Sequence, residues 1–144
     1  MLTCKGEKDN GCIVNTAFQV ASNPTKIAIS SQQENLTREI IEKTGKFNLS
    51  VLTESVPFET IRHFGMQTGR EVDKFDGFTS VERSENGLLY LTENVNAMFS
   101  VEVEKKIALG SHTLFIGEVT ESKTLSKDPS CTYAYYHKSI KPKM

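Results

Sequence analysis

A chain of 144 residues with 17 Lys and Arg against 18 Asp and Glu, a net charge of −1 and 38% hydrophobic residues is long enough for one domain with a real core. The near-neutral balance argues against bulk electrostatic binding of nucleic acid or of an anionic membrane. No apolar run approaches the ~20 residues of a membrane helix, and Met1 leads at once into a Lys- and Glu-rich turn rather than a signal peptide, so a single cytoplasmic domain over 1–144 is expected.

In chain order, residues 2–4 read as the end of a strand, and GEKDNG (6–11) as a turn cluster closed by Asn-Gly. An alternating strand is expected from 12 to 21. One of its faces carries Cys12, Val14, Thr16, Phe18 and Val20, the other Ile13, Asn15, Ala17, Gln19 and Ala21. Asn23-Pro24 turns the chain into a strand over 26–31. Asn35 is placed to cap a helix over LTREIIEKT, with Gly45 as its left-handed stop. A half-buried strand follows over 46–53, then a short helix, FETIRHF, bracketed by Pro57 and Gly65. The charged, Gly-punctuated segment 66–78 reads as a mobile loop.

The second half is strand-rich. Strands are expected over 79–83 and 88–92 around the turn SENG, over 95–104, and over 113–121. The tail from Cys131 ends in a basic, Pro-containing stretch, 137–144, that resembles a linker. Six or seven strands with two short helices predict a closed antiparallel barrel with helices at its rim.

Three cysteines, Cys4, Cys12 and Cys131, lack CxxC spacing, so no metal site is expected and free thiols are. Cys4 and Cys12 flank the first turn and would face each other across a hairpin. Three segments are candidates for chemistry. In SSQQENLTREI a polar loop enters a helix N-terminus, which offers free N–H groups; Gln33, Asn35 and Thr37 would seat a phosphate, or Asn35 would merely cap the helix. Asn15, Thr16 and Ala17 would bond the edge of a planar ligand, or lie on a solvated face or a subunit contact. In GSHTLFIGEV, His112 is a proton carrier or a boundary residue, and Gly117 marks close approach of a backbone or ligand. His63 and His137 read as structural or surface residues. For Tyr133, Tyr135 and Tyr136, core or interface packing is the expectation, with a pocket wall as the alternative.

Taken in order, NGCIVNTAFQVASNP, QQENLTREII, GKFNLSVLTE, RHFGMQTGREVDKFDGF, NGLLYLTENVNA, GSHTLFIGEV and TYAYYHKSIKPK resemble the flavin reductase-like FMN-binding split barrels. Within that family they are most similar to the flavin domains of high-molecular-weight rubredoxins and flavoredoxins. The resemblance runs over nearly the whole chain. It implies a mostly β fold, a six-stranded antiparallel Greek-key split barrel with short peripheral helices, and a homodimer holding noncovalent FMN near the subunit interface. It places Asn15, Thr16 and Ala17 beside the isoalloxazine ring, and Gln32, Gln33, Asn35 and Thr37 around the phosphate. His112 would be the catalytic residue near the face where nicotinamide stacks, and the loop 67–78 would cover that face.

The implied function is an NAD(P)H-dependent flavin reductase that passes electrons to a flavin or to a rubredoxin-like or other redox protein. An FMN electron carrier that never meets NAD(P)H and a barrel without cofactor are the alternatives. Three departures stand out. Gln33 occupies a position where relatives often carry lysine, the start MLTCKGE is shorter than the helix and fuller first strand of relatives, and no rubredoxin follows IKPK.

Overall fold

The computed structural model describes residues 1–143; Met144, the last residue of the linker-like tail, lies outside the described residues. Among the described residues nine strands form: β1 (Leu2–Lys5), β2 (Asp9–Cys12), β3 (Ala17–Ser22), β4 (Thr25–Gln32), β5 (Lys46–Leu52), β6 (Val81–Arg83), β7 (Leu89–Leu91), β8 (Val95–Ala108) and β9 (His112–Thr124). Seven of them make one antiparallel sheet in the order β2-β1-β5-β8-β9-β4-β3, and β6 pairs with β7 in a small ribbon. The fold is therefore mostly β, with seven strands in the main sheet rather than the expected six.

The sheet's two edges, β2 and β3, are consecutive in sequence and joined only by residues 13–16. Six strand spacings would separate the edges of a flat sheet by about 29 Å. The connection from Cys12 to Ala17 spans at most about 18 Å, so the sheet has to curl until its edges approach. They do not pair with each other. The result is an open-seamed barrel, consistent with a split barrel and unlike the closed one expected from strand count.

That seam overturns the reading of 12–21 as one strand. The chain leaves β2 at Cys12, crosses the seam, and begins β3 at Ala17. Cys12 is buried in the core while Phe18 and Val20 are 51% and 44% exposed. The apparent alternation therefore joined two different strands. The Asn-Gly pair lies inside β2 rather than in the turn. Asn10 is buried, with its Nδ2 donating to Thr37 Oγ1 at 3.0 Å, and a Cβ on Gly11 would lie 2.9 Å from the Leu2 carbonyl. The turn tightens instead at Gly6, whose N–H donates to Lys8 O at 3.2 Å.

Inside the barrel, Leu2, Cys12, Ile29, Phe47, Val101 and Phe115 form the core, and Ile41 of helix α1 (Leu36–Thr44) joins it. Asn35 caps α1 as expected, its Oδ1 accepting the Thr37 N–H at 2.9 Å, and Gly45 ends it at φ 73°. Gly117 meets the close approach its position foretold. The neighbour is backbone, since a Cβ there would collide with the Glu102 carbonyl of β8.

A second apolar cluster forms around Phe64 of α2 (Phe58–Gly65), Leu91, Val95, Phe75 and Phe78. The segment 66–78, expected to be mobile, is pinned there. Phe75 and Phe78 pack on Phe64, Arg70 pairs with Glu39 at 2.7 Å, and Lys74 is buried. The tail is not a bare linker either: a helical turn at Tyr133–Tyr135 passes into a π-helical stretch at Tyr136–Ile140. Among the described residues no helix is long and apolar enough to cross a membrane.

Candidate functional site

A cleft of about 750 Å³ opens at the barrel mouth beside the seam, within the range of small-molecule and cofactor pockets. Its floor comes from Leu49, Val51 and Leu52 of β5. One wall is the seam-crossing segment with Ile13, Val14, Asn15 and Ala17, together with Gln32 at the end of β4. The facing wall is the end of α2, with Ile61, Gly65 and Met66. The tail closes the third side with Cys131, Thr132, Tyr133 and Tyr136.

The tail is fastened where it enters the site. Cys131 N–H donates to Leu52 O at 2.7 Å, Glu54 N–H donates to Pro129 O at 3.0 Å, and Asn96 Nδ2 donates to Ser130 Oγ at 2.8 Å. Partial burial pushes the Cys131 thiol upward, and the Glu54 carboxylate adds to that shift.

The seam-crossing segment bends at Asn15 and is poorly self-satisfied. Thr16 O accepts the Ser30 N–H at 3.3 Å, which ties the segment to β4. The N–H groups of Val14, Asn15 and Thr16, however, donate to no backbone carbonyl among the described residues. Asn15 is exposed, and its Oδ1 accepts from the Thr16 hydroxyl at 3.2 Å. Its amide nitrogen is directed to no protein acceptor among the described residues. Free donors beside an apolar floor suit the edge of a flat, heteroatom-rich ring.

Of the residues expected to form a site, Asn15, Ala17 and Gln32 line this cleft, and Thr16 supports Asn15 without lining it. The other four do not line it. Gln33 Oε1 accepts from Thr113 Oγ1 at 2.7 Å, and its backbone N–H donates to Ser111 O at 2.9 Å. Asn35 is occupied as a cap, and Thr37 is fully buried between that cap and Asn10. His112 opens β9 opposite Gln32, with its Nδ1 2.9 Å from Ser111 Oγ.

Sequence reasoning left out the α2 wall and Cys131, and ranked the tyrosine wall as the lesser alternative. The signal for the tyrosines was their spacing, since Tyr133 and Tyr136 share a face of one helical turn and their rings stack at 6.5 Å. Two cations also escaped notice near the polar loop. Arg38 Nε donates to Gln33 O at 2.9 Å, and Arg70 Nη2 donates to Glu34 O at 3.3 Å.

The model of the flavin reductase like domain family matches residues 1–143, and the chain belongs to that family. Among individual proteins, it is 41% identical over 133 residues to the high molecular weight rubredoxin of Moorella thermoacetica, covering 92% of this chain and 58% of that protein. It is 36% identical over 127 residues to a ferric-chelate reductase (NAD(P)H) of Archaeoglobus fulgidus, covering 88% of this chain and 75% of that one. The chain thus spans less than two thirds of the rubredoxin relative and three quarters of the reductase. Its fold matches the crystal structure of an FMN-binding protein from Thermus thermophilus with a TM-score of 0.75 at 22% identity, over 85% of this chain and 69% of that one.

Proposed function

We propose that this chain binds FMN noncovalently in the mouth cleft and acts as a flavin reductase-type oxidoreductase, drawing electrons from NAD(P)H for a flavin or redox-protein acceptor. The observation that carries this reading is the cleft wall, where unpaired N–H groups of residues 14–16, the Asn15 amide and Gln32 border an apolar floor. Bound FMN would supply hydride acceptance and electron transfer; the protein's part is to bind, orient and exclude water.

On this reading Asn15 and the neighbouring N–H groups donate along one ring edge, with Thr16 and Ala17 fixing their position. Leu49, Val51, Ile61 and Met66 keep water from the ring, and Tyr133 and Tyr136 wall the side where a second ring would enter. The phosphate end would point past Gln32 toward the head of α1. Because the side chains of Gln33, Asn35 and Thr37 are engaged internally, and their N–H groups as well, that loop would contribute through the N–H groups of Glu34 and Leu36, which donate to no backbone carbonyl among the described residues. Arg38 and Arg70 flank the loop, but Glu42 and Glu39 already pair with them, so either would supply the charge that lysine gives in relatives only by exchanging its carboxylate for the phosphate. His112, opposite Gln32 at the rim, is proposed to assist the approach of nicotinamide.

A homodimer is part of the proposal. The paired residues Phe18, Ala28 and Ile116, and the next row of Ser30, Leu114 and Ile107, lie on the outer sheet face, because opposed residues share a face. Phe18 and Ile107 are exposed there. Such a patch marks an association surface, and Phe18→Asp should convert a dimer to monomer in analytical ultracentrifugation. Three free thiols suit a reducing cytoplasm.

Anaerobic addition of NADH or NADPH to the FMN-loaded protein tests the enzyme reading, with rapid bleaching of the flavin band as the expected outcome. Absence of bleaching by either nucleotide, with FMN still bound, would favour a second reading supported by the rubredoxin relative: an electron carrier served by a protein donor.

A further inference from the structure

Lys74 is a lysine with 2% of its surface exposed, and no carboxylate pairs with it among the described residues. Its Nζ donates to two backbone carbonyls instead, Gly11 O at 2.8 Å and Phe64 O at 2.9 Å. Burying an ammonium without a counter-charge is costly, and a hydrocarbon side chain would fill the space without that cost. What the ammonium adds is two directed, charge-assisted hydrogen bonds, each to a different piece of chain.

Those two pieces are the facing walls of the cleft. Gly11 precedes Ile13, Val14 and Asn15 by two to four residues, and Phe64 immediately precedes Gly65 and Met66; all five following residues line the cleft. The walls touch at their base, where a Cβ on Gly65 would lie 3.2 Å from Ile13 Cγ1. The lysine backbone grips the same helix end, because the Lys74 carbonyl lies 2.6 Å from His63 Nε2. Phe75, the next residue, packs on Phe64 with ring centroids 5.1 Å apart. Lys74 itself does not line the cleft.

We propose that Lys74 is a positioning residue: its buried ammonium ties the seam-crossing wall to the α2 wall and so sets the width of the cleft between them. The inference rests on the flavin reading for its ligand, and it assigns to the pinned segment 66–78 a role in shaping the site from behind.

The test uses the full chain and the variant Lys74→Met, which keeps an unbranched stem and removes the donors. FMN is titrated by quenching of its fluorescence, well below the melting temperature of each protein. The expected result is an affinity loss of about tenfold or more. Amide exchange should also quicken together at Ser30, whose N–H donates to Thr16 O in the seam-crossing wall, and at 65–66, with the β4–β9 ladder unchanged. FMN affinity within twofold of the parent, or a fall in melting temperature alone, would overturn the proposal.

If Lys74→Met does not fold, the parent protein decides. FMN should then slow amide exchange at 72–76, which does not line the cleft, and unchanged exchange there would count against the clamp. A parent that takes up no FMN would sink the flavin reading, while the paired exchange at Ser30 and 65–66 in Lys74→Met would still judge the clamp.

Discussion

Residues 13–17 and 33–37 both place an Asn and a Thr beside strand β4, yet their hydrogen bonds end in opposite places. In 33–37 every side chain named as a candidate is engaged within the protein: Gln33 by Thr113, Asn35 by the helix it caps, Thr37 by Asn10. In 13–17 the backbone donors of three consecutive residues are left open at a cleft wall. A polar residue holds a ligand only with groups the fold has not already used. Ligand binding is therefore expected of the seam-crossing segment, and stability of the loop at α1.

The largest effect that would sharpen this contrast is alkaline. Cys12 lies within reach of Thr37 and Asn35, and burial raises the pKa of both Cys12 and Cys4 above the ordinary thiol value of 9.0. The folded state then keeps protons that the unfolded chain releases, so stability is intact below pH 9 and falls as pH rises beyond it. Each thiol contributes a slope of about 1.4 kcal/mol per pH unit. Lys74 works in the opposite sense, because burial lowers its pKa and the unfolded chain then holds the extra proton. Denaturant unfolding between pH 8 and 10 should show a net decline, and Cys4→Ala with Cys12→Ala should flatten it. An undiminished decline in the double variant would break this account of the buried loop.

Next comes Thr37→Val, which strands the buried Asn10 amide and should cost about 2 kcal/mol of unfolding free energy. Its FMN affinity should stay within about twofold. Asn35→Ala should cost about 1 kcal/mol through the lost cap. The mirror-image variant is Asn15→Ala, an exposed residue whose removal should change stability by less than about 0.5 kcal/mol but weaken FMN by roughly five- to tenfold. If Thr37→Val lowers FMN affinity more than Asn15→Ala does, the assignment of the two segments is reversed.

The helices were legible because their punctuation is local: Asn35 and Gly45 fix α1 by capping chemistry alone. The hairpin at 84–87 was legible for the same reason, with Gly87 at φ 84° and its N–H donating to Ser84 O at 3.0 Å. The break at 13–16 was not legible, since residues on either side alternate as one strand would. Only the closing of the sheet's edges forces the crossing. Thr37 and Asn10 likewise look like exposed polar residues until tertiary packing buries them against each other. Lys74 sits in a run of charges, and nothing in the sequence separates it from its solvated neighbours.

The central claim, that the mouth cleft is a flavin site edged by residues 13–17, is tested most directly by one paired titration. FMN is added to the parent protein and to Asn15→Ala, with flavin fluorescence and the visible spectrum followed together. The account predicts saturable binding at one FMN per chain in the parent and a right-shifted curve of the same end point in the variant. Absence of saturable binding in the parent, or superimposable curves for the two proteins, would contradict it.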